Sequence, residues 1–195
     1  MATLIQVEGP DRAGKATQAR LLAEHIRRQG KSAIVVEVPV HEPLTHALIY
    51  YMLRSGAAKS LPKTFQVLQV INRLLFQLTL LVVYHVIFDY VVFDRWSLST
   101  VIYGTASGTS RSFNEKITSI LSEPDITLVI NGPSRNKEAR DSYESDNMLQ
   151  SLVRIGYTNW CRNNPKISRE ISSLGTPMEV HGNITKALRE LLPTI

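Results

Sequence analysis

The chain has 195 residues, 44% of them hydrophobic, enough for one well-buried domain, and no shift in composition divides it, so a single domain spanning residues 1–195 is expected. A net charge of +5 and a pI near 9.4 suit an anionic ligand, yet the bases are scattered rather than gathered in a stripe, which argues against nucleic acid as a partner. A single cysteine, Cys161, excludes an internal disulfide, and the amino terminus reads as a strand rather than a signal peptide; both fit a reducing, cytoplasmic setting.

Residues 4–7 (LIQV) form a short β-type run, and residues 17–28 place Ala19, Leu22, Ala23 and Ile26 on one face at helical spacing. Between them lies EGPDRAGKAT, a nearly complete G-x-x-x-x-G-K-[ST] phosphate-binding loop: Gly9, Pro10, Asp11, Arg12, Ala13, Gly14 and Lys15. Such a backbone curls so that successive N–H groups face a polyphosphate, the lysine reaches the outer phosphates, and the helix dipole lies beneath them. Ala16 stands where a Ser or Thr hydroxyl normally binds Mg²⁺. Thr17 follows one residue late, turned roughly 100° around the helix. Arg12 puts a further cation where a transferring phosphoryl group is stabilised in the manner of an arginine finger.

Residues 33–38 (AIVVEV) predict a buried strand ended by Pro39, residues 44–53 a helix, residues 54–59 a polar connection, and Pro62 the start of a long helix reaching about residue 87. Its uncharged part, residues 74–88, is bounded by Arg73 and Asp89 and is shorter than the ~20 residues a membrane crossing needs, so a buried helix is expected instead. Being apolar on nearly all sides, it calls for cover by the sheet on one side and by a second subunit on the other. Residues 90–93 (YVVF) predict a third strand that delivers Asp94-Arg95 at its carboxyl end, the carboxylate suited to hold Mg²⁺ through water and the guanidinium to clamp a phosphate. A strand-end ion pair is the alternative for these two, and for Arg73 the alternatives are a cleft-facing cation or a side chain reaching the surface.

Residues 97–103 and 113–121 look helical, and residues 126–130 (ITLVI) give a fourth strand. A charged segment, residues 131–146, follows with Arg135, Lys137 and Arg140, readable as a phosphate-covering lid or as a solvated loop. A helix over 148–162, a short strand over 178–181 and a closing helix over 185–192 complete the order. Alternating β and α elements predict a parallel sheet covered by helices on both faces, with ligands beyond the carboxyl ends of its strands. Neither metal-ligand spacing nor a Ser/His/Asp arrangement stands out.

Taken together, EGPDRAGKATQ, VEVP, INR in the long helix, FDRW with SLSTVIYG, and SYES resemble thymidylate kinases over nearly the full chain. The resemblance implies a P-loop NTPase fold with a five-stranded parallel sheet and a lid. It also implies phosphoryl transfer from ATP to a deoxypyrimidine monophosphate with Mg²⁺, and a homodimer packed through long helices. It implies that Lys15 and the loop amides hold ATP, that Arg12 stabilises the migrating group, and that Asp11 contacts the acceptor's deoxyribose; Arg135 and Arg140 are candidates for ATP contacts if the charged segment is a lid. Arg95 is implied to grip the acceptor phosphate, Arg73 to reach the carbonyl edge of the pyrimidine, and Tyr103 to stand against the sugar; Pro39, His41, Gln69 and Ser99 are further candidates for substrate contacts. The sequence departs from the family at Ala16, at His41 in place of an arginine two residues after the strand-ending proline, and at Gln69 in place of a phenylalanine that stacks on thymine. The last two changes point to a more polar or modified pyrimidine as acceptor. A non-catalytic nucleotide-binding sensor or partner protein is the reading from another class.

Overall fold

The computed structural model describes residues 1–132, 143–144 and 146–192. Five strands, β1 (Thr3–Glu8), β2 (Ala33–Glu37), β3 (Tyr90–Asp94), β4 (Ile126–Asn131) and β5 (Ser168–Ser172), form one sheet in the order β2-β3-β1-β4-β5, and every neighbouring pair is parallel. Alternation along the strands sends Ile5, Val7, Val92, Leu128 and Ile130 to one face, where helices α1 (Lys15–Arg28) and α9 (Pro177–Leu191) cover them. On the other face lie two more apolar clusters. One gathers around α2 (Thr45–Ser55), the short α3 (Ala57–Ser60), α6 (Ser97–Ala106) and α8 (Asn147–Asn163). The other packs Val91 and Phe93 against α4 (Pro62–Phe76) and Ile117 of α7 (Arg111–Thr118), with Trp96 stacked on Phe93 at 4.3 Å between ring centroids.

The register sets the site. Val7 pairs with Asp94 and Glu8 with Val129, so the carboxyl ends of three strands meet, and the Arg95 N–H donates to the Val7 carbonyl at 3.0 Å. The helix that follows β1 begins at Lys15, two residues before the apolar periodicity starts.

Three expectations need correction. Residues 178–181 are not a strand: Thr176 accepts from the Glu179 N–H, the Glu179 carboxylate accepts from the Thr176 N–H, and Pro177 occupies the first turn, a capping box that starts α9. The last strand is instead β5, whose polar sequence SREIS suits an edge strand paired on one side only.

The long helix also differs from expectation. Helix α4 continues through a π-helical turn (Gln77–Leu81) into α5 (Val82–Ile87), with the Thr79 hydroxyl donating to the Leu75 carbonyl at 2.7 Å and competing with the regular ladder. The rod Pro62–Ile87 is, among the described residues, the one helix whose length and mean hydropathy of 1.7 would allow a membrane crossing. Its first half is built into the fold, since Asn72 and Arg73 are buried. Its second half leaves Leu78, Val82, Val86 and Ile87 exposed, Val86 at 86%, on the side for which cover by a second subunit is expected. The stretch expected as a polar connection ends α2 and forms α3, and Lys59 there binds Asp146 at 2.8 Å.

Candidate active site

Gly9 leaves β1 at φ +142°, and a Cβ there would lie 2.1 Å from the Ile130 carbonyl oxygen, so the loop can pass β4 only without a side chain. Gly14 at φ +93° turns the chain into α1. Within the curl, Lys15 is buried and its Nζ donates to the Pro10 carbonyl at 2.6 Å. Burial pulls its ammonium down to about 8, the Arg95 guanidinium adds to this, and Asp11, Asp94 and Glu8 oppose it. Ala13 is buried behind the loop, Ala16 offers no hydroxyl, and exposed Thr17 lines a groove of about 230 Å³ with Arg12, Gly14, Gln18, Pro177 and Val180.

Arg12 itself sits at φ +61° and donates from Nη2 to the Glu144 carbonyl at 2.7 Å, with the Glu144 carboxylate 3.5 Å from Nε. The loop is therefore tied to the end of the charged segment. Arg135, Lys137 and Arg140 lie outside the described residues.

On the other side of the loop is a cleft of about 360 Å³ whose lining includes Asp11, Pro39, Phe65, Gln69, Arg73, Arg95, Ser99 and Tyr103. Arg95, at φ +70°, is its hub: its guanidinium donates to Asp11, to the Gly9 carbonyl at 3.1 Å, to Ser99 Oγ at 3.2 Å and to the Tyr103 hydroxyl at 3.3 Å. Burial pushes the Asp11 carboxyl up, but Arg95, Lys15 and a 2.7 Å hydrogen bond from Gln150 together hold it below its ordinary value. Burial also raises Asp94, against Lys15 and Arg95, and among the described residues no side chain or backbone N–H hydrogen-bonds its carboxyl group.

Arg73 is buried at the far end of the cleft, where it donates from Nη1 to both the backbone carbonyl and the Oε1 of Gln69, at 2.8 and 3.0 Å. Burial, assisted by Arg95 and resisted by Glu8, lowers it to about 10. Of its two alternatives, the cleft-facing one is observed. Asn72, next to it, clamps the segment after β2 by accepting from the Val40 N–H at 2.9 Å and donating to the Val40 carbonyl at 3.1 Å. His41 is not in the cleft lining; it is exposed and lies against His46, 4.1 Å between ring centroids, with His46 in turn against Tyr50.

Sequence reasoning missed three members of this arrangement. Glu8, fully buried, accepts from the Trp96 and Ser99 N–H groups and from the Ser99 and Tyr157 hydroxyls, at 2.5–3.2 Å. Gln150 grips both the N–H and the carboxylate of Asp11. Tyr143 is buried against Phe65 and parallel to Tyr103.

A phosphate loop and a cation-rich cleft joined through Asp11 and Arg95 define a site for two phosphorylated ligands. The sequence profile described as Thymidylate kinase matches residues 7–154, and that stretch contains all of these groups. The chain belongs to the thymidylate kinase family. It is similar to thymidylate kinases of Dinoroseobacter shibae, 28% identical with 83% of this chain and 84% of that one covered, and of Desulfosudis oleivorans, 27% identical with 98% of each covered. In fold it resembles the solved thymidylate kinase of Ehrlichia chaffeensis, with a TM-score of 0.76 at 20% identity over 96% of this chain and 98% of that one. The Candida albicans thymidylate kinase is also similar in fold, with a TM-score of 0.74 at 20% identity, covering 97% and 92%.

Proposed function

We propose that this member of the thymidylate kinase family transfers the γ-phosphoryl group of ATP to the 5′-phosphate of a deoxypyrimidine monophosphate, releasing ADP and the deoxynucleoside diphosphate. The observation that carries this reading is the Asp11–Arg95 bridge, which sets the phosphate loop and the head of the cleft against each other. Lys15 and the loop amides hold the ATP phosphates, Arg12 balances charge on the group in flight, and Arg95 grips the acceptor phosphate from the opposite side. Catalysis by such an arrangement is mainly positioning and charge stabilisation. Tyr103 bounds the sugar, and Arg73 meets a ring carbonyl.

The residues present fit Mg²⁺. Asp94 is a carboxyl group raised by burial and without a hydrogen-bond donor among the described residues, so a cation beside it restores its charge. Mg²⁺ in phosphate-transfer sites needs only one or two carboxylates because water and phosphate oxygens complete its shell, which accommodates Ala16. When bound, the ion supplies neutralisation of the phosphate oxygens. The direct test is ADP formation with ATP, Mg²⁺ and a panel of nucleoside monophosphates. Deoxypyrimidine acceptors should lead, and no turnover of any acceptor would favour a nucleotide-binding protein without transfer.

The state of Lys15 makes ATP affinity depend on pH. Its pKa lies below the ordinary lysine value, so the ammonium present below about pH 8 is lost above it, whereas a phosphate group has shed its second proton by about pH 6. ATP affinity should fall up to about ten-fold per pH unit above pH 8 in calorimetric titrations. Lys15→Met should bind ATP weakly and lose this slope; a slope that survives the change would assign the titration to another group.

We further propose a homodimer, supported by the apolar Leu78, Val82 and Val86 exposed along one helical rod. Light scattering at micromolar concentration should give twice the chain mass of 21.9 kDa, and the monomer mass would refute the assembly.

A further inference from the structure

The lining of the cleft holds more hydrogen-bond donors than the described residues use. Among the described residues Gln66 Nε2, Arg73 Nε and Thr100 Oγ1 have no hydrogen-bond partner, although Gln66 is 1% exposed and Arg73 and Thr100 are each 2% exposed, and all three residues line the same cleft. Gln69 adds a fourth group: its Oε1 accepts from Arg73, which fixes the amide and leaves Nε2 as a donor with no partner among the described residues. Gln66, Gln69 and Arg73 stand at positions i, i+3 and i+7 of α4 and therefore share one face. Buried donors without partners are rare because each forfeits its hydration. A ligand that enters here is selected by the oxygen atoms it brings.

We propose that the cleft selects a deoxyuridine monophosphate bearing an oxygen substituent at ring carbon C5, a 5-hydroxymethyl group being the smallest that fits the chemistry. This proposal rests on the kinase reading above. A uracil ring supplies two carbonyl acceptors, fewer than the four donor-bearing side chains. With Arg73 on the 4-carbonyl, the neighbouring ring atom is C5, beside the glutamine amides that flank Arg73 on the same helix face. A methyl group there would set carbon against amide N–H groups and leave them unpaired, whereas a hydroxyl oxygen accepts from them and donates its own proton to an amide oxygen or to Thr100. A cytosine ring would turn its 4-amino donor toward a wall of donors, which disfavours it.

The test compares kcat/KM for 5-hydroxymethyl-dUMP, dTMP, dUMP and dCMP at saturating ATP and Mg²⁺, with Kd for the same acceptors from calorimetry. One additional satisfied hydrogen bond should favour 5-hydroxymethyl-dUMP over dTMP about ten-fold. Gln66→Leu should remove most of that preference, and Gln69→Leu at the half-buried neighbouring position should reduce it where Gln66→Leu does not fold. Turnover of dTMP equal to or above that of the hydroxymethyl compound overturns the proposal and leaves the kinase reading standing. A wild-type preference unchanged in both variants also overturns it. Failure of every acceptor to react overturns the kinase reading, and this proposal with it.

Discussion

Replacement of Lys15 or Arg12 by alanine is expected to lower kcat by at least ~10²-fold, the scale on which a charge partner of the transition state is lost. The two side chains approach the phosphates differently. On the proposed reading Lys15, buried inside the curl, meets them as a point charge, while Arg12, at a left-handed φ of +61° and tied to Glu144, supplies a planar fork. Arg12→Ala should therefore change kcat more than the KM for ATP, and Arg12→Lys should not restore the rate, because a single ammonium does not replace the planar fork. Lys15→Ala should raise the KM for ATP as well. Steady-state ADP formation at saturating acceptor separates these effects, provided circular dichroism confirms that each variant is folded. Normal kcat in both alanine variants would remove the loop from the chemistry.

Glu8→Ala should destabilise the fold by about 3–5 kcal/mol, the range for breaking a buried charged network by deleting one partner. Four donors converge on this carboxyl group, and its removal would strip the Trp96 and Ser99 N–H groups of that acceptor and leave the buried Ser99 and Tyr157 hydroxyls, 3.2 Å apart, to pair with each other. Glu8 also helps to hold Lys15, Arg73 and Arg95 in their charged forms, so its loss exposes three buried cations to one another. With total stability on the order of 5–15 kcal/mol, such a change removes a large fraction of it. Glu8→Gln keeps the shape and part of the accepting capacity and should cost about 1–3 kcal/mol. Urea denaturation midpoints measure both, and a loss under ~1 kcal/mol for Glu8→Ala would show that the network is dispensable.

The phosphate loop was legible because its strand and helix flank it with unmistakable periodicities, and Asp94-Arg95 because a strand of four apolar residues ends on it. Glu8 escaped notice because one more polar residue at a strand end looks solvated. Its position in the same alternation as Leu4 and Gln6, which places it under α6 and α8, emerges only when the sheet is assembled. Gln150 is 139 residues from Asp11, a separation that no local pattern reports. The fifth strand was missed because an edge strand needs little hydrophobicity; the error at residues 178–181 was avoidable, since Thr176-Pro177 followed by Glu179 is a helix-start signature. Composition records that the second half of the long helix is apolar and in need of cover, but not that Leu78, Val82 and Val86 are the residues the rest of the chain leaves uncovered.

The contact between Asp11 and Arg95 has a thermodynamic consequence. One residue belongs to the loop proposed for the donor and the other to the cleft proposed for the acceptor, so neither ligand can alter its own end of this ion pair without altering the other's. The two binding equilibria are thus linked, and the factor by which ATP changes acceptor affinity must equal the factor by which the acceptor changes ATP affinity. On the proposed reading a phosphate on Arg95 would compete with Asp11 for the guanidinium and weaken the hold that Arg95 and Gln150 together keep on the loop. Donor and acceptor would then bind as a coupled pair rather than as independent tenants, with this bridge carrying part of the coupling.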